Sequence, residues 1–511
     1  MELDRLMQQI TENKYPVEFS GHWVHGEWVK DSRAIKIGGS YNPNRDSLLT
    51  EVSISKSIMD QAIAAASDAA AELRDLDLVT KLNMVSQFRQ LIADYELPIT
   101  TMLRVEAGKP GWEAKNDFDS AVQILDQIVS SGDKIIEQVC EPYRIHGQGS
   151  RLRLMPVGTT AVFQNFSTPL NTVVQSFAAA VLAGCPQIIM TSCHTAMMGQ
   201  LLARIIAKVE GPIGSANVLF GDFKSFVKLL QDRSIKAVIY SGSREHVDTI
   251  RQDSASMLDR QLMLQSGGKN SLIIHESADA EQVLKAIMFG MVKSAGQLNT
   301  STSRVFIPRS QLSGYEESLT AVVRSLSIGP TDDDKFDPTM GPLYARKAVD
   351  KFLRFQTMAK REAKTTIAWG KALETSSGGY FVTPGVHVFD ELDPSSSFQS
   401  NVFMCPDVAI YPFDDIEEAI RAANTTNASL VCSLYGDEEA LDPLSSLVKA
   451  PNIMLNEPTV GIKVQPTLTG KELCGGHRVS GIGILSLLTY PQASHSSEHA
   501  KSVINSWPWG A

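Results

Sequence analysis

Cysteine is scarce in this sequence, and its few cysteines are not paired. The 511 residues contain six cysteines, and no two of them have C-x-x-C spacing. A disulfide framework and a zinc site of the usual spacing are therefore not expected, and we predict no metal. The low cysteine content favours a reducing, cytoplasmic environment.

Long apolar runs and an excess of positive charge are also missing. No apolar stretch reaches the roughly 18 residues of a membrane helix, and the start, MELDRLMQQITENKYP, lacks the apolar core of a signal peptide. The chain has 47 Lys and Arg residues against 57 Asp and Glu residues, a net charge of −10. We therefore expect neither a membrane nor a nucleic acid as a partner.

What the sequence does contain is an alternation of short apolar runs and amphipathic segments. Residues 54–103 have apolar positions at helical spacing, as in MDQAIAAASDAAAEL. From about residue 152, β-branched runs such as QIIMTS, AVIYSG and NSLIIH alternate with helical segments. This pattern is typical of α/β proteins with parallel sheets and crossover helices, and the length indicates more than one such domain.

Two glycine-containing turns follow predicted strands. In YSGS, Gly242 and Ser243 end a strand and begin a helix, where backbone amides could bind a phosphate. The same residues could equally form a tight turn with Ser243 as the helix cap. GGKN at 267–270 has the same two interpretations. The residues alone thus predict a two-domain α/β protein with a possible dinucleotide crevice.

The order of short motifs along the chain supplies a family resemblance. The motifs are VEAGKPGWEA (105–114), PVGTTAVF (156–163), LAGCP (182–186), YSGS (240–243), SGGKN (266–270), AGQLNTSTSR (295–304), DPTMGPL (337–343), GGYFVTPGV (378–386) and GGHRVSG (475–481). Because its motifs occur in this order, the chain resembles the aldehyde dehydrogenase superfamily from about residue 22 to residue 494. GKPGWEA, LAGC, VTPG and NEPTVG are most similar to succinylglutamate-semialdehyde dehydrogenases.

The resemblance implies an aldehyde-dehydrogenase-like fold, with two Rossmann-type α/β domains and a small β oligomerisation element. It implies six segments along the chain. These are a helical part of the cofactor domain (1–142), an oligomerisation strand (143–155), the Rossmann-like cofactor domain (156–262), a catalytic-type α/β domain (263–455), a return to the cofactor domain (456–484), and a C-terminal oligomerisation strand with its tail (485–511). Within these, 143–155 and 485–490 are the predicted oligomerisation strands, which imply a dimer or tetramer.

The resemblance also implies a mechanism in which a cysteine attacks an aldehyde, a hydride passes to NAD or NADP, and water releases the product. At the nucleophile position of the G-Q-x-C motif, this chain has Asn299. An amide nitrogen is not a useful nucleophile, whereas a thiolate is. No cysteine lies within a hundred residues of Asn299 in the sequence.

The general-base position of the family's E-L-G-G motif is Gln265, which cannot take a proton from water. The family's oxyanion asparagine falls on Ser167, whose hydroxyl donates one hydrogen bond. Two cofactor positions, a ribose-binding lysine and a ribose-binding glutamate, fall on Met190 and Val402. The second glycine of the phosphate loop falls on Val247, which we expect to crowd the backbone there.

These replacements predict that the chain descends from NAD(P)-dependent aldehyde oxidoreductases and has lost standard aldehyde oxidation. Engineered substitution of Asn299 and Gln265 is the alternative to natural divergence, and joint change at the cofactor positions favours divergence. Of the histidines, His194 and His246 could approach the crevice, and a capping or solvent-facing role is the simpler interpretation of both.

We predict a pseudoenzyme that binds an unknown small molecule or partner protein, with no cofactor; NAD or NADP is the candidate if one binds. One alternative is a non-redox enzyme for an acyl or amine substrate. The other is a divergent semialdehyde dehydrogenase.

Overall fold

Helices and strands alternate along most of the chain. The computed structural model describes residues 3–12, 14–140, 150–333, 335–461 and 482–495. The helices are α1 (Leu3–Thr11), α2 (Lys56–Asp75), α3 (Leu78–Asp94), α4 (Glu96–Val105), α5 (Gly111–Cys140), α6 (Pro169–Ala183), α7 (Ala196–Ile206), α8 (Phe223–Leu229), α9 (Arg244–Ser254), α10 (Ala280–Val292), α11 (Leu312–Ser325), α12 (Arg346–Glu362), α13 (Ser397–Ser400), α14 (Ile416–Ala423), α15 (Glu438–Ser445) and α16 (Ile482–Leu488).

The strands form two large sheets and three small ones. They are β1 (His22–Val24), β2 (Glu27–Val29), β3 (Ile35–Asn42), β4 (Ser47–Ile54), β5 (Ser150–Pro156), β6 (Thr159–Gln164), β7 (Gln187–Ser192), β8 (Ala216–Gly221), β9 (Ile235–Gly242), β10 (Gln261–Ser266), β11 (Asn270–Ile274), β12 (Thr302–Pro308), β13 (Thr365–Ala368), β14 (Ala372–Leu373), β15 (Phe381–Val382), β16 (Gly385–Val388), β17 (Asp407–Phe413), β18 (Val431–Tyr435), β19 (Asn452–Leu455) and β20 (Thr489–His495).

The first large sheet has the strand order β10-β9-β6-β7-β8-β1-β2. Strands β6 to β10 are parallel, and β1 and β2 add an antiparallel edge. From β6 the chain continues to β7 and β8 on one side of that strand, and then crosses to β9 and β10 on its other side. The strand order therefore reverses between β6 and β9. Ligands of such sheets bind outside the carboxyl ends of the strands at this switch in order.

The second large sheet has the order β13-β16-β17-β12-β11-β18-β19 and is parallel except for β13 at one edge. Strands β5 and β20 pair antiparallel in a separate two-stranded sheet. The two large α/β sheets are the predicted fold, and this prediction is confirmed.

Alternate residues of each strand in the first sheet pack on opposite faces. On β7, Ile188 and Met190 join one apolar cluster, whereas Ile189 joins the cluster on the other face. Both faces are covered by helices, and every residue of β6 and β7 is buried. The second sheet is likewise buried between two clusters.

Gly158, with a φ of 126°, turns the chain between β5 and β6. One predicted strand differs from the structure in its bounds. In the predicted strand 485–490, the first four residues belong to helix α16, and the strand begins only at Thr489. The Thr489 hydroxyl donates to the Leu485 carbonyl at 2.8 Å, so the helical turn continues to the strand boundary. Residues 143–149 of the other predicted strand lie outside the described residues.

Among the described residues, no helix is both long enough and apolar enough to cross a membrane.

A buried ion network joins helix α5 to the second sheet. The Lys109 ammonium group lies 3.0 Å from Glu113 Oε1, 2.5 Å from Asp117 Oδ2 and 3.1 Å from Ser294 Oγ. Glu113 Oε2 also accepts a hydrogen bond from the Ser294 backbone at 2.8 Å. Burial raises the pKa of Glu113, but the charges of Lys109 and Lys293 and the hydrogen bonds from Ser294 together outweigh burial and hold that pKa below its usual value.

We predict that Lys109→Ala lowers the free energy of unfolding by about 3–5 kcal/mol, because it leaves two buried carboxylates without their cation. Lys115→Ala is the control six residues further along the chain, since Lys115 pairs with Glu96 and Asp119 at the surface. That variant should lose about 1 kcal/mol or less. Chemical denaturation of both variants measures the difference, and equal losses would contradict a special role for the buried network.

Candidate active site

A cavity of about 1120 Å³ lies at the carboxyl ends of β6, β9 and β10. The turn before β12 and one face of helix α12 form its other wall, so the cavity lies between the two large sheets. Five of the positions singled out from the sequence line it: Ser167, Gly242, Ser243, Gln265 and Asn299. Met190 and Val402 are not among its lining residues.

Backbone contacts hold the turn that carries Asn299. Gly296 has a φ of 69°, and its Cα packs so tightly against the Cys405 carbonyl that no side chain would fit. The Asn299 carbonyl accepts hydrogen bonds from the Gly268 backbone at 3.1 Å and from Asn270 Nδ2 at 2.9 Å. Because the backbone is fixed in this way, the Asn299 side chain stays in the cavity wall.

The hydroxyl residues after Asn299 have no general base. Ser303 donates to the Asn270 carbonyl at 3.2 Å, and Thr302 shares a hydrogen bond with Thr459 at 2.8 Å. The Ser301 hydroxyl is buried and has no hydrogen-bond partner within the described ranges. A hydroxyl needs an adjacent base to become a nucleophile, and none of these contacts involves a carboxylate or an imidazole.

Gln265 lies near the end of β10, opposite Ser241 of β9. Its amide cannot act as a base, and the carboxylates of the cavity wall are already bound. Asp117 pairs with Lys109, and Asp119 pairs with Lys115. Asp222 caps helix α8 by accepting from the Ser225 backbone at 2.8 Å and from its hydroxyl at 2.6 Å. Each of these carboxylates is therefore already engaged by a lysine or by a helix N-terminus.

The Ser167 hydroxyl lies 3.2 Å from Asn165 Oδ1, to which it donates. The Thr168 backbone donates to the same oxygen at 2.8 Å. The Asn165 carboxamide therefore organises this corner of the cavity wall. The sequence analysis missed Asn165, although it stands only two residues before Ser167.

The turn after β9 is covered by aromatic side chains. Ser243 caps helix α9 by accepting from the His246 backbone at 3.4 Å, as the turn interpretation predicts. The Tyr240 hydroxyl lies 2.7 Å from His246 Nδ1, and the His246 ring stacks on Phe223 at 3.6 Å. Tyr240 also packs against Gly242 so closely that no Cβ would fit. These rings occupy space beside the turn where a phosphate would approach.

Met190, Val247 and Val402, the positions to which the resemblance assigns cofactor contacts, do not line the cavity. Met190 is fully buried in an apolar cluster of the first sheet, with its sulfur against Gly221. Val247 is buried in the same cluster, so the predicted crowding by Val247 is wrong, and Tyr240 crowds the turn instead. Val402 packs beside Gly267 and lines a separate void of about 20 Å³.

Cys405 lines the cavity although it lies far from Asn299 in sequence. Burial raises the pKa of its thiol well above the usual value, so the reactive thiolate is disfavoured. No sequence pattern indicated this proximity, because it depends on how the segment before β17 packs against the turn at Gly296.

His194 and His246 also line the cavity. Burial and the positive charge of Lys347 lower the pKa of His194 to about 4, which makes its imidazole neutral and a weak base at pH 7. The pKa of His246 is lowered chiefly by burial. Across the described ranges, no three His, Cys, Asp or Glu residues converge as metal ligands would.

We predict that Met190→Lys destabilises the protein by about 3 kcal/mol or more, because an unpaired ammonium group would enter an apolar core. Met190→Leu preserves volume and polarity and should cost less than about 1.5 kcal/mol. Thermal unfolding of both variants measures the difference. Unchanged stability in the lysine variant, together with new affinity for NAD, would instead show that residue 190 faces the crevice.

Comparisons with known proteins agree with this architecture. The profile of the aldehyde dehydrogenase family matches residues 28–493. The chain is 25% identical to an alpha-ketoglutaric semialdehyde dehydrogenase of Bacillus subtilis over 482 residues, 92% of this chain and 96% of the relative. It is 25% identical to the N-succinylglutamate 5-semialdehyde dehydrogenase of Shigella flexneri, with coverages of 93% and 95%. The predicted similarity to that group is confirmed.

Solved structures share the fold. The NAD⁺ complex of an aldehyde dehydrogenase from Bacillus cereus superposes with a TM-score of 0.86 at 21% identity, covering 96% of this chain and 98% of that chain. A Mycobacterium tuberculosis aldehyde dehydrogenase complexed with NAD⁺ gives 0.84 at 20% identity, with coverages of 94% and 99%. With a family profile that spans most of its length, this chain belongs to the aldehyde dehydrogenase family.

Proposed function

We propose that this family member has lost standard aldehyde oxidation and acts as a pseudoenzyme that binds a ligand or partner protein. The observation that carries the proposal is the pair Asn299 and Gln265. Both line the large cavity, and both place a neutral amide where the family's chemistry needs a thiolate and a carboxylate.

Other residues of the cavity supply no substitute for the missing groups. The Cys405 thiol is held protonated by burial, and the wall carboxylates are engaged in ion pairs or helix capping. The hydroxyls at positions 301–303 have no base beside them. At about 1120 Å³, the cavity is slightly larger than a small-molecule site of about 300–1,000 Å³ and has room for such a ligand. A polar ligand could be oriented there by the amides without being oxidised.

The aromatic packing at the β9 turn supports the absence of a nicotinamide cofactor. Tyr240, His246 and Phe223 crowd the phosphate approach, and Met190 offers no donor for a ribose hydroxyl. The competing function is a divergent NAD(P)-dependent dehydrogenase, favoured by relatives whose structures contain NAD⁺. The two functions differ in whether nicotinamide binds and is reduced.

We further propose that the protein is a homo-oligomer, a dimer or a tetramer. Strands β5 and β20 form a two-stranded sheet of their own. The outer edges of such a small sheet present backbone N–H and C=O groups, and a strand of another chain can pair with these groups.

We predict that neither NAD nor NADP binds at concentrations up to about 1 mM, the upper end of usual Michaelis constants. No reduced nicotinamide should form with a panel of semialdehydes. Calorimetric titration and absorbance at the reduced-nicotinamide band measure the two outcomes.

Asn299→Ala is the control for contaminating enzymes, since a contaminant's activity would persist unchanged in the variant preparation. Nicotinamide reduction by the native chain that falls in Asn299→Ala would establish the dehydrogenase function and end the pseudoenzyme proposal.

A further inference from the structure

One wall of the cavity carries a row of cations along helix α12. Lys347, Lys351 and Arg354 all line the cavity. Spacings of four and three residues place them on one face of the helix. With a rise of about 1.5 Å per residue, the row extends over about 10 Å along the helix axis. No ion pair engages any of the three within the described part of the chain.

The positive charges of this row act on titratable groups across the crevice. The charge of Lys347 contributes to lowering the pKa values of His194 and His246, which belong to the opposite wall. Lys351 acts similarly on Cys405. Both lysines line the crevice, Lys347 near histidines that follow strands β7 and β9 of the first sheet and Lys351 near the segment before β17.

The charges on the cavity wall do not cancel. Asp117 and Asp119 are neutralised by Lys109 and Lys115, which leaves Asp222 as the acidic residue without a cation among the described lining residues. Four cations that line the same cavity have no ion pair within the described ranges, namely the α12 row and Lys224. This excess of positive charge occurs in a chain whose net charge is −10. A cavity of opposite sign to the whole protein favours an anionic ligand.

The deeper wall is neutral and polar. Asn171, Gln175, Gln265 and Asn299 bring carboxamides to it. The Asn171 amide oxygen is buried and has no hydrogen-bond partner in the described part of the chain, although buried polar atoms are usually bonded. A ligand with a hydrogen-bond donor would satisfy this oxygen.

We propose that the crevice binds a small molecule with at least two anionic groups, carboxylates or phosphates, held by the α12 row while the amides contact its uncharged part. This rests on the proposed ligand-binding function and names its ligand class. Two anionic groups are needed because the cations are spread along the helix, so that one carboxylate cannot contact the whole row.

The test is calorimetric titration of the full chain with citrate and with inorganic pyrophosphate, at about 0.02 M and about 0.15 M salt. Lys347→Glu/Lys351→Glu should weaken binding at least about tenfold, which corresponds to about 1.4 kcal/mol. Lys360→Glu/Arg361→Glu is the matched control. It changes the charge of the same helix by the same amount, outside the cavity lining. Thermal unfolding verifies that both variants are folded.

Binding of either anion that is lost only in the Lys347/Lys351 variant supports the inference, and the preferred anion distinguishes polycarboxylates from phosphates. Equal weakening in both variants would show non-specific attraction and overturn it, as would the absence of binding to the native chain. Either of these results leaves the pseudoenzyme proposal standing, because the pseudoenzyme proposal depends on the separate nicotinamide titration. Nicotinamide turnover in that experiment would instead remove the proposed function itself.

Discussion

The buried ammonium group of Lys109, held between Glu113 and Asp117, fixes the position of the crevice wall on which the chemistry depends. Through Glu113, the network binds the backbone and hydroxyl of Ser294, and Ser294 and Ala295 adopt left-handed conformations. Each such residue costs about 1–3 kcal/mol of backbone strain, which the surrounding contacts must offset. The strained turn leads directly to Asn299, so helix α5 determines where that side chain enters the cavity.

The contacts that hold the turn at Asn299 are made by backbone atoms. The Asn299 carbonyl accepts from Asn270 and Gly268, and these bonds are independent of the side chain at position 299. Arg304 likewise bonds the carbonyls of Lys269 and Ala423, which holds β12 in place. Removing a buried member of the ion network would leave an unpaired charge, whereas a different side chain at position 299 would leave these backbone bonds in place. The fold therefore constrains the side chain at position 299 less than it constrains the ion network.

The crevice has a consistent electrostatic character. The neutral amides of Asn299 and Gln265 line it, the two lining histidines have lowered pKa values, and lysines of helix α12 line the same cavity. Such a surface can orient a polar, negatively charged molecule. The aromatic side chains beside Gly242 reduce the space for a phosphate at the helix terminus.

The sequence by itself determined the α/β class and the family, because apolar periodicity and motif order are local properties of the chain. Residues 54–103, for example, have apolar positions at helical spacing, and nearly all of them lie in helices α2, α3 and α4. Other features depended on contacts between distant segments: Cys405 beside Gly296, Tyr240 rather than Val247 crowding the turn, and Lys347 facing His194. The boundary between α16 and β20 was also missed, since apolar residues of a short segment suit either conformation. Only the tertiary structure decided which side chains share the cavity, because packing between the two sheets brings together residues that no sequence period relates.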